Sequence, residues 1–354
     1  MRVNKRNLIC VAVMILLLGW TAHTILKGQT PEELARAILS ADWRFLLLGL
    51  VVMALFIGFE AKSTHSILRA LGSPQPFRKC YFYSCTGFFF SNITPSATGG
   101  QPAQVYYMNR DGVSVANGTI DMLLVTIGYH TAILTYGILA LLTCGDLTEQ
   151  LGGQVGFLLG VGFTIFVVLN IAMILFLFLP NPARRLCLLG LGIAVRVRPT
   201  LDRKKLEEKL DGYIGGYRQG AVVIRRTPGL LPKVFLCGLG QLGCTYLIPY
   251  LIYLAFGLGE ASLWQVFSLQ VLCSISVGYL PLPGAAGAAE NVFLRGFQAI
   301  FGLALVAPAM ILSRTVSCYL VLMVTGIVTA VGHVHRRRPR PEQADHPVPE
   351  EPAA

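Results

Sequence analysis

The side chains best equipped for chemistry in this sequence sit in two polar breaks, each inside an otherwise apolar stretch. The first break reads Ser91-Asn92-Ile93-Thr94-Pro95-Ser96-Ala97-Thr98-Gly99-Gly100-Gln101-Pro102-Ala103-Gln104, and Tyr106, Tyr107 and Arg110 follow. Glycines let backbone amides approach a ligand closely, while Asn, Thr, Ser and Gln offer neutral hydrogen bonds. A half-helix opening at Gln101 would turn the positive end of its dipole toward an anionic group. The competing reading is a capped helix break that serves only the fold. The second break, Pro281-Leu282-Pro283-Gly284-Ala285-Ala286-Gly287, leads into Glu290, Asn291 and Arg295. A charge at the centre of a bilayer costs at least about 2.5–3.5 kcal/mol, so Glu290 needs a partner or a task. Pairing with Arg295 or Arg314 is the structural option, and a proton- or cation-linked role in transport is the functional one. Arg314 equally has the charge to neutralise a phosphate. The candidate binding and translocation residues are therefore Asn92, Thr94, Pro95, Ser96, Gly99, Gly100, Gln101, Gln104, Arg110, Pro283, Gly284, Gly287, Glu290, Asn291, Arg295 and Arg314.

Other polar groups in apolar segments read as structural. Glu60 and Lys62 are expected to pair or to snorkel to an interface. Asp121 is expected at an interface, near the start of a span, and His130 is expected to satisfy a local hydrogen bond. Gly238-Leu239-Gly240-Gln241-Leu242-Gly243 matches G-x-G-x-x-G but lies inside an apolar run with no strand before it. These glycines read as a helix-packing face instead of a dinucleotide site. No G-x-S-x-G, H-E-x-x-H or phosphate-binding P-loop is present. The nine cysteines show neither C-x-x-C pairs nor metal-ligand spacing with histidine, so no metal and no cofactor is expected.

The elements that carry these breaks follow from composition. Of 354 residues, 54% are hydrophobic and 13% charged, against about a quarter charged in soluble domains. Mean hydropathy is +0.61. Runs of about 20 apolar residues suffice to cross a bilayer, and spans are expected at 8–26, 45–66, 115–142, 154–180, 229–256 and 304–332. The first follows Arg2, Lys5 and Arg6, lacks a small-x-small cleavage site, and reads as an uncleaved span. Between the first two, Thr30-Pro31-Glu32-Glu33 has the form of a capping box opening a short amphipathic helix.

The net charge of +11 is concentrated between apolar runs, which argues for membrane topology and against direct nucleic-acid binding. Basic residues mark the loops after the second and fourth spans and the C-terminus, while 143–153 and 257–262 are acidic. This places both termini in the cytoplasm. An interfacial helix is expected around Leu206, Leu210, Tyr213, Ile214 and Tyr217, within a basic linker at 181–228. A single membrane domain is expected over 1–332, with a disordered tail at 333–354. The stretches 80–104 and 263–301 keep every basic loop on one side only if each enters and returns on its own side. The fold class expected is all-α and polytopic, with about six full spans and two re-entrant hairpins of opposite orientation. Non-helical backbone cannot face lipid, so both breaks must be buried or line a wet cavity. Paired interrupted segments of opposite topology point to a transport site.

At these motifs a family resemblance enters. "NITPSATGGQPAQVYYMNRDGVS" with "LPLPGAAGAAENVFLRGF" resembles the lysylphosphatidylglycerol synthase transmembrane-domain family, or flippase-like domain proteins, over about residues 8–332. In bifunctional members such a membrane domain is joined to a cytoplasmic domain that transfers lysine from lysyl-tRNA to phosphatidylglycerol. The membrane domain moves the product to the outer leaflet, lowering negative surface charge and giving resistance to cationic peptides. The resemblance implies a lipid-translocating role and carries onto Asn92, Pro95, Gly99, Gly100, Gln101, Pro283, Gly284, Gly287 and Glu290. Two departures stand out. Gln104 occupies a position where many relatives carry Arg, and with only a short tail after residue 332 no aminoacyl-transferase domain is expected here.

The expectation is a translocase in a bacterial inner membrane, acting on an anionic or aminoacylated phospholipid. The alternative is a phosphatidylglycerol lysyltransferase, or a subunit of one, working with a separate soluble aminoacyl-transferase. A passive membrane scaffold is the third reading. The lipid, energy coupling and self-association are left open by sequence.

Overall fold

The computed structural model describes residues 30–94, 97–145, 152–178, 188, 226–280 and 287–336. The expected span at 8–26, most of the 181–228 linker with its interfacial helix, the tail beyond 336, and Pro95, Ser96, Pro283 and Gly284 lie outside them. Every regular element described is helical: α1 (Pro31–Ser40), α2 (Trp43–Ala70), α3 (Phe77–Ile93), α4 (Gly100–Arg110), α5 (Val115–Thr143), α6 (Gly152–Phe178), α7 (Leu230–Ala255), α8 (Leu263–Val277), α9 (Ala288–Gly296), α10 (Gln298–Arg314), a π-helical turn (Thr315–Tyr319) and α11 (Leu320–Arg336).

The helices start where side chains can take up orphan amides. Thr30 and Glu33 close the expected capping box on α1, with Pro31 at its first position. Asp42 accepts from the Arg44 amide to open α2, and Ser114 accepts from the Asn117 amide to open α5. Ser262 and Gln265 form a second capping box on α8. Among the described residues, five stretches are long and apolar enough to cross a membrane: Trp43–Ala70, Val115–Thr143, Val155–Leu175, Leu230–Ala255 and Gln298–His335. Large apolar side chains such as Leu47, Val51, Leu55, Leu236, Val324 and Ile327 point outward. Polar Glu60, Asp121, Gln241 and Glu290 point inward. That inverted polarity suits a lipid surround.

Contacts at the helix ends fix the topology. At the Ala70 end of α2, Asn117 bonds Leu71 and Ser73, while Gln75 bonds the Asp111 carbonyl. The α3–α4 pair therefore starts and finishes at one end. At the Trp43 end, the Asp42 amide bonds the Ala255 carbonyl, and Phe301 packs on Tyr253 and Phe256. Trp264, opening α8, bonds Thr143 at the far end of α5. The α8–α9 pair thus enters and returns at the opposite end from α3–α4. These are the two inverted hairpins expected from sequence. From Phe301 the chain runs back through α10 and α11, where His333 bonds Tyr107 near the Ala70 end.

Two details depart from the expected spans. The last crossing is a jointed helix, bent at Gly302 (φ 71, ψ 166), with Pro308 inside and a π-helical turn after Arg314. It also continues to Arg336, so the tail boundary drawn at 333 falls inside a helix. Gly302 fits a positive φ that a Cβ would strain.

The G-x-G-x-x-G run is a packing face. A Cβ on Gly238 would lie 2.9 Å from the Gly128 carbonyl oxygen of α5, and one on Gly240 would lie 2.7 Å from the Phe59 ring. Gly238→Leu is expected to force α5 and α7 apart and lower stability by about 1–3 kcal/mol. Thermal melts in detergent would show it, with Gly156→Ala, where nothing lies within 4 Å, as the neutral control.

Candidate functional site

The inverted hairpins meet at a cavity of about 400 Å³ in the middle of the bundle. Asn92 reaches it from the tip of the first hairpin. Gln270, Ser274 and Gly278 come from α8, and Ala289 and Phe293 from α9. Arg314, Ser317 and Cys318 come from the end of α10 and the π-helical turn, and Tyr129, His130 and Tyr246 close the opposite wall. A π-helical turn widens the backbone spiral and recurs at functional sites. Here it directly follows Arg314 and supplies two wall residues. Pro249 in α7 also lines the cavity, and it has no amide to offer the Thr245 carbonyl one turn earlier.

Glu290 and Arg314 form the charged centre. Arg314 Nε donates to Glu290 Oε1 at 3.0 Å, with the two side chains 22% and 8% exposed. Glu290 Oε2 accepts the Gly287 amide, so the carboxylate also caps α9 at a glycine whose φ is +84. Of the two pairings open from sequence, the structure adopts the one with Arg314. The guanidinium is not used up: Arg314 Nη2 is buried with no hydrogen-bond partner. Gln270 Oε1 and His130 Nδ1 are likewise buried and unpartnered. The cavity wall thus brings together Arg314, Gln270 and His130, each with a buried unpartnered polar atom, beside the aromatic side chains of Tyr129, Phe166 and Phe293. Such a lining can take a phosphate on the guanidinium and an ammonium group on the amide oxygen and rings.

The other expected residues divide. Asn92 holds its tip by donating Nδ2 to the Phe88 carbonyl at 2.8 Å, and its Oδ1 accepts from Cys318 Sγ at 3.6 Å. Thr94 Oγ1 donates to the Phe90 carbonyl and accepts the Gly99 amide, stitching the break closed. Gly100 opens α4, one residue before the half-helix start expected at Gln101, and lets the hairpin legs touch. Its Cβ would lie 2.0 Å from Ser91 Oγ and 2.7 Å from the Gly87 carbonyl oxygen. Gln101 bonds Thr126 at 2.8 Å and lines a second groove, of about 620 Å³, between α4 and α5. Arg110 lies at the hairpin base over the Tyr106 ring, and Asn291 and Arg295 are exposed. None of these last four residues borders the central cavity.

Three structural assignments made from sequence are corrected. Glu60 neither snorkels nor pairs with Lys62, which faces outward. It is buried and accepts from Gln104 Nε2 at 3.1 Å and Gln241 Nε2 at 3.0 Å. Asp121 is completely buried, because α5 turns that face onto the bundle and not toward an interface. His130 packs edge-on against Phe166 with Nδ1 unsatisfied, in the cavity wall. Gln241, Gln270 and the aromatic wall were missed from sequence. The one available signal was a polar amide inside each of two apolar helices.

Inverted helical hairpins around a buried ion pair, set among membrane-length apolar helices, define a polytopic all-α membrane protein with an interior polar site. The family model described as "Lysylphosphatidylglycerol synthase TM region" matches residues 7–325, and the chain belongs to that family. Among curated proteins, no match was found.

Proposed function

We propose that this chain moves a phospholipid headgroup across the membrane through the cavity between its hairpins, with Arg314 receiving the phosphate. The observation that carries this reading is the Arg314 guanidinium. Glu290 fixes it through Nε, Nη2 is buried without a partner, and Arg314 borders a cavity large enough for a headgroup. A buried donor without an acceptor costs about 1–3 kcal/mol or more when charged, and a phosphate oxygen would remove that cost. The acceptor Gln270 and the aromatic wall favour a headgroup that also bears an ammonium group, as in lysylphosphatidylglycerol. Acyl chains would stay in the surrounding lipid. Arg69, Arg78, Lys79 and Arg110 at the Ala70 end support a cytoplasmic position for that end, in a bacterial inner membrane.

The test is leaflet-resolved labelling of lipids in proteoliposomes of the pure protein, using phosphatidylglycerol, its lysyl ester and a neutral glycolipid. Faster transfer of the phosphate-bearing lipids than of the glycolipid is expected; equal transfer of all three, or none, would overturn the reading. The family description favours one second reading, a membrane subunit of a lysylphosphatidylglycerol synthase. It requires that tRNA-dependent lipid lysylation by a separate soluble aminoacyl-transferase rise when this chain is added.

A further inference from the structure

The buried Glu60 and Asp121 take no part in the central cavity, and their surroundings ask for a different ligand. Glu60 receives two amide donors, one from α4 of the first hairpin and one from α7. Asp121, with 0% exposure, has no hydrogen-bond partner at either carboxylate oxygen. The groups facing the pair are Thr64 from α2, Ser84, Cys80 and Cys85 from α3, Gln104 from α4, Tyr129 from α5 and Gln241 from α7. Among the described residues no lysine, arginine or histidine forms an ion pair with either acid. Thr64 Oγ1 and Gln104 Oε1 are also buried without partners.

An isolated carboxylate in such a place would face a solvation penalty large enough to make it take up a proton instead. Two neighbouring carboxyls with no counter-cation cannot both stay ionised. From the burial, the unpartnered oxygens and the amide clasp, we infer that Glu60 and Asp121 form an intramembrane proton-binding pair that governs how the first hairpin is fastened. The first proton goes to Asp121, whose oxygens no amide holds, and Glu60 is the double acceptor that holds Gln104. When a second proton adds to Glu60 Oε1, the oxygen that accepts from Gln104, the charged acceptor is lost. Gln104 must then release or turn its amide so that its free Oε1 accepts the new O–H. No other bond changes. Gly87 makes the clasp possible, since a Cβ there would sit 1.9 Å from Gln104 Nε2. Because α4 belongs to the hairpin whose tip borders the cavity, the proton state of the pair bears on cavity shape. That last link deepens the translocase reading and rests on it; the proton site does not.

Two measurements on the purified full chain, neither involving lipid movement, decide the proposal separately from that reading. Infrared spectroscopy at neutral pH should show the carbonyl stretch of a protonated carboxyl that disappears in Asp121→Asn. No band removed by that substitution would overturn the inference. Hydrogen–deuterium exchange, corrected for intrinsic rates, should show protection of α4 amides falling roughly tenfold or more on acidification, as expected when a charged acceptor is neutralised. Glu60→Gln should abolish that pH dependence, and Gln104→Leu should give low protection at every pH. Unchanged pH dependence in Glu60→Gln would overturn the inference. A folded, monodisperse Gln104→Leu with full protection would do the same.

Discussion

Arg314→Gln is expected to reduce lipid transfer to the protein-free rate and to cost about 3–5 kcal/mol of stability, the loss typical of stripping one partner from a buried ion pair. Glu290 would keep its carboxylate, 8% exposed, with only the Gly287 amide left to it. The two consequences come apart in the double variant Glu290→Gln with Arg314→Gln. Neutralising both partners removes the uncompensated charge, so most of the stability should return while transfer stays absent. Arg314→Lys retains the charge but lacks the second donor direction supplied by Nη2. It should fold well and transfer slowly. Thermal melts and leaflet-resolved labelling on the same preparations read both quantities. Recovery of transfer in the double variant would show that the guanidinium is only a structural counter-ion.

Gly100→Val is the second large effect, and it acts on the backbone. The legs of the first hairpin cross where the Cβ of residue 100 would run into Ser91 and the Gly87 carbonyl. Ser91 can change rotamer, but the carbonyl belongs to a helix and must move with it. The hairpin should open, Gln104 should leave Glu60, and stability should fall by about 1–3 kcal/mol or more. Transfer should drop toward background. Cys85, 1% exposed on α3 and near Glu60, should become open to alkylation. Resistance of Cys85 to a small thiol reagent in Gly100→Val would mean that the legs tolerate the extra methyls and that the crossing is not tight.

Much of this architecture was legible in sequence because its signals are one-dimensional. Long apolar runs give spans, Thr30-Pro31-Glu32-Glu33 gives a helix start, and Pro–Gly breaks flanked by basic loops give hairpins that return to their own side. Glu290 stood out because a carboxylate in an apolar run demands a partner, and its partner proved to be Arg314. What was not legible depends on helix rotation. Glu60 and Asp121 looked interfacial because they lie near span ends in sequence, yet their helices turn those faces inward, onto Gln104, Gln241 and Thr64. Arg110, Asn291 and Arg295 were included for their nearness to the motifs, but helix rotation or position at the hairpin base takes them away from the cavity. The bend at Gly302 and the π-helical turn have no periodic signature. The bent helix packs on α7 and α9 and the π-helical turn on α2 and α7, and Arg314, at their junction, stands in the cavity wall.

The most direct test of the central claim is whether the Arg314 guanidinium touches a lipid phosphate. Phosphorus–nitrogen dipolar recoupling by solid-state NMR, with nitrogen-labelled arginine in bilayers containing the transferred lipid, reads that contact. A guanidinium signal attenuated by phosphorus is expected in the wild type, and its absence in Arg314→Lys. Wild-type protein that transfers lipid with no Arg314-dependent phosphorus contact would contradict it.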